Sequence, residues 1–158
     1  MTNEFRGDLT PEDARFVIVV SRYNESITAK LLRGAVETLV ARGTAEDCID
    51  VAHVPGAWEI PLVADRLARS GRYAAVLCLG AVIRGETTHD QHINRQVSLS
   101  LGKSSLATGV PILFGVLTCN SLEQAINRSG GTVGNKGVEC AEAALEMVSL
   151  LRQLPTQL

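Results

Sequence analysis

The chain has 158 residues, of which 46% are hydrophobic and 20% are charged. This composition is typical of a globular protein and excludes disordered, collagen-like and low-complexity classes. The 15 Lys and Arg against 17 Asp and Glu give a formal net charge of −2, without the basic excess that nucleic-acid-binding proteins carry. We therefore expect a single domain over residues 1–158, with residues 1–14 as an N-terminal extension and no nucleic-acid partner.

The longest nearly unbroken apolar run, residues 74–83, is about half as long as a membrane span needs to be. The first residues also lack the basic-then-apolar order of a secretory signal. The four cysteines are Cys48, Cys78, Cys119 and Cys140, and no two of them form a C-x-x-C pair. These features predict a cytoplasmic protein without a membrane partner, whose four thiols are reduced and mostly buried.

Strand-like and helix-like segments alternate along the chain. A β-branched run at 15–20 predicts the first strand, and apolar residues that recur every four positions from Ile27 predict a helix that Asn24 caps and Gly43 ends. The later segments predict strands at 48–54, 74–79 and 111–118, and helices at 58–71, 86–107, 121–128 and 138–151. This alternation predicts a three-layer αβα domain, flavodoxin-like or Rossmann-like, with a four-stranded parallel central sheet.

Two of the six aromatic residues follow strands directly, where ligands of parallel sheets bind. Tyr23 comes after the first strand, and Trp58 lies within the segment 54–59 after the second. Neither position needs a core residue, so the pair favours a flat aromatic ligand. The alternative is an ordinary polar turn in which Asn24 serves only as a helix cap.

The segment 80–89 joins a buried strand to a helix, which is where a phosphate-binding loop belongs. Its glycine spacing imitates a nucleotide-binding loop, but Glu86 stands at the lysine position and would repel a triphosphate. The backbone amides of the helix N-terminus, with the hydroxyls of Thr87 and Thr88, suffice for one phosphate. His89 lies in the first helical turn, where the positive end of the helix dipole favours a neutral imidazole that can act as a base.

His89 and His92 are three residues apart, a spacing that can place two imidazoles on a metal ion. No matching Cys or Glu ligands accompany them, so we expect no metal. A second glycine-rich segment, 129–137, follows no predicted strand and lacks the Ser or Thr of a phosphate loop, which favours a flexible hinge between two helices. Arg128 and Lys136 are the cations there that can neutralise a phosphate.

Five strings of residues, taken in chain order, resemble the lumazine synthase family. They are Arg22–Asn24 with Ile27 and Thr28, Val54–Pro61, Leu79–His89, Phe114–Gly115 and Gly134–Gly137. The resemblance runs from about residue 14 to residue 150, and its strings Val-Ile-Arg-Gly-Glu-Thr-Thr-His and Gly-Asn-Lys-Gly are specific. Tyr23 and Trp58 stand where family members often carry other aromatics, which preserves a stacking surface.

The resemblance implies a transferase of riboflavin biosynthesis. It would condense 5-amino-6-(D-ribitylamino)uracil with 3,4-dihydroxy-2-butanone 4-phosphate to 6,7-dimethyl-8-ribityllumazine, phosphate and water, without a cofactor and with His89 as the proton-transfer residue. The residues implied to hold the ribitylaminouracil are Tyr23, Ala57, Trp58, Glu59, Ala81, Val82, Ile83 and Phe114. Those implied for the butanone phosphate are Glu86, Thr87 and Arg128, with Asn24, Lys136 and Glu139 in support.

The resemblance also implies homopentamers with sites between subunits, in which Phe114 and Arg128 reach a neighbour's pocket. The turn 130–137 lacks the extra residues that some pentamer-only relatives insert there, so the resemblance also implies a closed icosahedral shell of 60 subunits, for which riboflavin synthase is a candidate partner. A mean hydropathy of +0.14 is high for an isolated domain and agrees with apolar surface hidden in interfaces. Small residues beside the apolar line of the helix at 90–107 agree with close packing against another helix.

Three alternatives stay open at this point: an archaeal-type riboflavin synthase, a flavodoxin-like flavin-binding or signalling module, and a shell protein without activity. The context of His89 and Arg128 argues against the first. A receiver module would need clustered carboxylates after the first strand, where the chain has Ser21 and Arg22. A flavin carrier would be yellow after purification, and an activity assay would identify a shell protein.

Overall fold

The computed structural model describes residues 1–131 and 133–156. Its main sheet has four parallel strands in the order β2-β1-β3-β4. The strands are β1 (Phe16–Ser21), β2 (Ile49–Val54), β3 (Ala75–Ile83) and β4 (Ile112–Cys119), and the helices are α1 (Glu25–Ala41), α2 (Ile60–Arg69), α3 (His89–Thr108), α4 (Leu122–Asn127) and α5 (Lys136–Gln153). The predicted three-layer αβα domain with a four-stranded parallel sheet is confirmed.

Two apolar layers hold the helices against opposite faces of this sheet. From β1, Phe16, Ile18 and Val20 pack with α1 and α5, whereas Val17 and Val19 pack with α2 and α3. All five side chains are at most 2% exposed. Such a continuous apolar run is what a parallel strand covered on both faces requires, and it leaves the loops at the strand ends for polar chemistry.

The strand β3 is longer than predicted. It continues past Leu79 because it pairs with β4 as far as Ile83, which lies opposite Cys119. Gly80, where the prediction had ended the strand, belongs to its interior. A Cβ at that position would lie 3.0 Å from the Ser21 hydroxyl on β1. The glycine therefore allows the neighbouring strand to approach closely and does not mark a turn.

Asn24 occupies the N-cap position of α1, as predicted. This residue precedes α1 with a left-handed φ of 64°, but its side chain makes no capping bond. Its amide Nδ2 instead donates a hydrogen bond of 3.0 Å to the carbonyl of Ala81. Asn24 therefore ties the loop after β1 to the end of β3.

The segment predicted as a flexible hinge contains two short strands. They are β5 (Ser129–Gly131) and β6 (Gly134–Asn135), which pair antiparallel, while Thr132 lies outside the described residues. Gly130 and Gly134 have φ values of 117° and 113°, a region that favours glycine. The glycines thus build a tight hairpin.

The last helix, α5, begins at Lys136, earlier than the predicted start near residue 138. The reason is Asn135, whose Oδ1 accepts hydrogen bonds from the backbone N–H groups of Gly137 and Val138 at 2.8 and 3.2 Å. A side-chain acceptor of this kind satisfies amides that have no partner within the helix.

Residues 6–12 of the N-terminal extension contact α5. The side-chain amide of Gln153 bonds to the backbone of Arg6 in both directions, donating to its carbonyl at 2.6 Å and accepting from its N–H at 3.4 Å. Gly7 packs so close to the helix that a Cβ would collide with the carbonyl of Glu146. The N-terminal extension is therefore fitted to the last helix of its own chain.

Three of the four cysteines, Cys78, Cys119 and Cys140, are buried, Cys48 is half-buried, and all four are free thiols. This agrees with the predicted state of the thiols. Burial raises the pKa of Cys78 well above its usual range, and it raises the pKa of Cys140 to about 11. Among the described residues, no helix has the length and apolar character needed to cross a membrane.

The contact between α1 and α5 depends on Gly137, because a Cβ there would collide with the carbonyl of Leu31. We expect Gly137→Ala to lower the free energy of unfolding by about 1–3 kcal/mol, the usual cost of overpacking. The matched control is Gly102→Ala in α3, where nothing lies within 4 Å of the new methyl group. This control should leave stability unchanged or raise it, since alanine favours a helix by about 1 kcal/mol.

Urea unfolding followed by circular dichroism measures both variants. Equal midpoints for Gly137→Ala and the parent chain would contradict the close approach of the two helices.

Candidate active site

A cavity of about 410 Å³ opens at the carboxyl edge of the sheet, between the loops that follow β1, β2 and β3. We call it the first cavity. The residues predicted from the sequence that line it are Tyr23, Ala57, Trp58, Glu59, Ala81, Val82, Ile83, Thr87 and His89. They come from the loops after β1 and β2, from the end of β3 and from the segment that leads into α3, which the parallel sheet brings to one edge.

Two aromatic side chains form much of the wall of the first cavity. Tyr23 is 73% exposed and Trp58 is 51% exposed, so neither contributes to the core. The backbone N–H of Tyr23 donates to the carbonyl of Pro55 at 3.0 Å, which fixes the loop after β1 against the loop after β2. Exposed aromatic faces beside a few fixed polar groups suit a flat ligand.

Glu59 fixes the loop that follows β2. It comes directly after Trp58 in a short 3-10 turn, Ala57–Glu59. Its Oε2 accepts a hydrogen bond of 3.0 Å from the backbone N–H of Gly56. The carbonyl of Trp58 accepts a further bond of 3.5 Å from the side-chain amide of Gln96 in α3. This turn is therefore anchored at both ends, and its side chains face the cavity from a defined position.

His89 is the first residue of α3 and is exposed toward the first cavity. Its backbone N–H donates to the Thr87 hydroxyl at 3.3 Å, and Thr88, at the cap position, makes no side-chain cap. The imidazole thus stands at an uncapped, positively polarised helix end. Asp90 lies next to it, with a buried Oδ1 that has no hydrogen-bond partner among the described residues.

A further cavity of about 430 Å³ shares the walls formed by Trp58, Glu59 and His89, and adds His92. Two imidazoles and one carboxylate therefore line this space. Within residues 1–131 and 133–156, no group of three or more His, Cys, Asp or Glu side chains is arranged to hold a metal ion.

The remaining predicted residues line a separate space, which we call the second cavity. It has a volume of about 430 Å³, lies beside β4 and the β5–β6 hairpin, and shares no lining residue with the first cavity. Its predicted members are Phe114, Arg128, Lys136 and Glu139. Phe114 is 42% exposed, which again leaves an aromatic face free for contact.

The charge of the second cavity suits an anion. Arg128 and Lys136 face one carboxylate, that of Glu139, and neither cation takes part in an ion pair within the part of the chain that the structure describes. The Arg128 guanidinium also lies beside the Cys119 thiol. Burial raises the pKa of this thiol, and the arginine charge opposes the rise.

The structure thus divides the predicted residues into two groups. Glu86 belongs to neither group, because it is exposed and lines neither cavity. Asn24 does not line the first cavity but forms a hydrogen bond with Ala81, which does. Sequence reasoning missed four further residues of the first cavity, which are Gly56, Gly85, Asp90 and Ile93. The helical spacing of Ile93 from His89 could have identified it.

The family model of 6,7-dimethyl-8-ribityllumazine synthase matches residues 13–152. The chain belongs to this family. Two curated relatives, from Xanthomonas campestris pv. campestris strains B100 and 8004, bear the same enzyme name. Each is 51% identical over 151 residues, which cover 96% of this chain and 98% of the relative. These matches confirm the recognition made from the motifs and the transferase class, and they do not favour a riboflavin synthase or a flavin-binding module.

Proposed function

We propose that this chain condenses 5-amino-6-(D-ribitylamino)uracil with 3,4-dihydroxy-2-butanone 4-phosphate to 6,7-dimethyl-8-ribityllumazine, with release of phosphate and water. The observation that carries the proposal is the first cavity itself. It combines two exposed aromatic faces with His89 at an uncapped helix N-terminus, in a chain that belongs to the lumazine synthase family.

The first cavity takes the pyrimidine. Tyr23 stacks on the ring, because its exposed face is held at the cavity by the backbone bond to Pro55. The turn Ala57–Glu59 and the strand end Ala81–Ile83 hold the edge of the ring and the ribityl chain, since both line the cavity and both are fixed by hydrogen bonds. Asn24 supports this arrangement through its hydrogen bond to the carbonyl of Ala81.

His89 is the proposed proton-transfer residue. The amine of the pyrimidine attacks the ketone, and one water is lost as the imine forms. Phosphate is then eliminated, and the ribitylamino nitrogen closes the ring on the carbonyl that results, with loss of a second water. Each step moves a proton between nitrogen, carbon or oxygen atoms, and one imidazole can accept and return it. The nucleophile is the substrate's own amine and the leaving group is phosphate, so the reaction needs neither a metal nor an organic cofactor.

The phosphate group requires cations that the first cavity does not have. Thr87 and the amides of α3 line that cavity, but Arg128 and Lys136 line the second one. We therefore propose that Phe114, Arg128 and Lys136 of one subunit complete the first cavity of its neighbour in a homopentamer. Glu86 is exposed on the same loop as Thr87. Its carboxylate repels a phosphate, so the contact that we propose for this residue is made by its backbone N–H.

The exposed apolar surface supports association. Leu62 of α2 and Leu99 and Leu106 of α3 are 75%, 61% and 89% exposed, and an interface between subunits would cover them. We further propose a closed shell of 60 subunits with riboflavin synthase as a partner, supported by the compact β5–β6 hairpin. A cytoplasmic location is supported by the four free thiols.

Replacing His89 by Ala should lower kcat by roughly one to three orders of magnitude, because a general acid–base group is lost while the substrate contacts remain. Steady-state lumazine absorbance measures the rate. His53→Ala is the matched control, since His53 is an exposed imidazole on β2 that lines neither cavity. A variant at position 89 with the parent kcat would remove this residue from the mechanism.

Replacing Arg128 by Ala should weaken binding of the butanone phosphate by about 1.5–3 kcal/mol, the usual loss for a hydrogen bond to a charged group. The Michaelis constant of the pyrimidine should change little. Arg33→Ala, on an exposed position of α1 outside both cavities, is the control. Equal increases of both Michaelis constants, or no increase, would contradict the assignment.

Light scattering at micromolar concentration should give the mass of a closed shell rather than of one chain, because symmetric closure buries the apolar surface of α2 and α3. A stable mass of five subunits would contradict the shell alone. A monomer mass would contradict the shell and the shared site together.

A further inference from the structure

The side chain of Asn135 connects two helices, and the reaction described above assigns it no role. Its Oδ1 accepts the bonds from Gly137 and Val138 that start α5. Its Nδ2 donates a hydrogen bond of 3.1 Å to the backbone carbonyl of Lys30, in the middle of α1. A helical carbonyl has a second lone pair, so it can accept this bond in addition to its helical one.

The packing around Asn135 is fitted to the amide group. A Cβ on Gly34 of α1 would lie 2.7 Å from both Nδ2 and Oδ1 of Asn135, so a larger residue there would displace the amide. Gly130 of β5 lies on another side, where a Cβ would be 3.8 Å from Nδ2. The amide is therefore enclosed between α1 and the β5–β6 hairpin.

The hydrogen bonds of Asn135 lie immediately beside the cations of the second cavity. Lys136 follows Asn135 directly, and its backbone N–H donates to the carbonyl of Arg128 at 2.9 Å. The residue after Arg128, Ser129, pairs with Asn135 in the hairpin. Any movement of Asn135 relative to α1 therefore carries both cations with it, although Asn135 itself does not line the cavity.

We propose that Asn135 is a positioning residue for the phosphate subsite, which acts by fixing the start of α5 to α1 and thereby the separation of Arg128 and Lys136. The inference rests on the proposed function, in which these two cations bind the phosphate of the butanone substrate. Asparagine suits this position because it can both accept the bonds that start α5 and donate one to the Lys30 carbonyl. Aspartate would cap α5 but has no donor for Lys30, and serine would cap it but is too short to reach that carbonyl.

Two variants test the contact between Asn135 and α1, one by changing each partner. Asn135→Ser keeps a hydroxyl that caps α5 and removes the bond to α1. Gly34→Ala keeps every polar group and displaces the amide by a methyl group on α1, outside the second cavity. We expect each to raise the Michaelis constant of the butanone phosphate and the inhibition constant of inorganic phosphate by roughly three- to ten-fold, as for one lost hydrogen bond.

The Michaelis constant of the pyrimidine and kcat should stay within about two-fold, because the first cavity is unchanged. A purely structural role would lower the midpoint of thermal unfolding without separating the two Michaelis constants. Gly102→Ala serves again as the control for a new methyl group in a helix, and it should move none of these constants.

The double variant sharpens the test. Serine at position 135 leaves room for the methyl group at position 34, so Gly34→Ala should have no further effect on phosphate inhibition in the Asn135→Ser background. Additive effects of the two substitutions would overturn the proposed contact.

Arg128→Ala, measured in the same assays, separates this proposal from the one on which it rests. If Arg128→Ala leaves phosphate binding unchanged, the phosphate subsite itself is wrong. If Arg128→Ala weakens it while Asn135→Ser and Gly34→Ala do not, or if these raise both Michaelis constants equally, the subsite stands and the positioning role of Asn135 is overturned.

Discussion

The burial of the parallel sheet on both faces constrains where this chain can carry chemistry. β1 and most of β3 are apolar and almost fully buried, so a polar or reactive side chain within them would lose its hydration. The reactive groups of the first cavity therefore lie in the loops at the strand ends and in the first turn of α3. Because all four strands run in the same direction, the loops after β1, β2 and β3 meet at one edge and enclose the first cavity.

Much of the fold could be predicted because local patterns and long-range packing agree in it. The β-branched run of β1 and the four-residue spacing of α1 gave the correct element types. Predictions were incomplete where a distant partner decided the outcome. Asn24 follows the usual preference for a helix cap, yet its amide bonds to Ala81, 57 residues away. Gly80 looks like the end of a strand, yet the pairing of β3 with β4 continues beyond it.

Many of the residues that line the two cavities could also be predicted, since the motifs that resemble the family contain them. Their division between two cavities could not. It depends on the sheet order, which places β4 at one edge and separates Phe114 and Arg128 from Tyr23 and Trp58. No local pattern encodes that order. Likewise, the attachment of the start of α5 to α1 depends on the bond from Asn135 to Lys30, which joins segments about a hundred residues apart in the chain.

The loop that carries Tyr23 has a thermodynamic consequence for recognition. The backbone N–H groups of Arg22 and Tyr23 bond to the carbonyls of Val54 and Pro55 at 2.9 and 3.0 Å, and Asn24 bonds to β3. The loop thus loses its conformational entropy when the chain folds, and a flat ring that arrives later has only the phenol side chain to order. Recognition at this edge is preorganised, so an exchange of one aromatic for another here alters the stacking energy without reshaping the backbone beneath it.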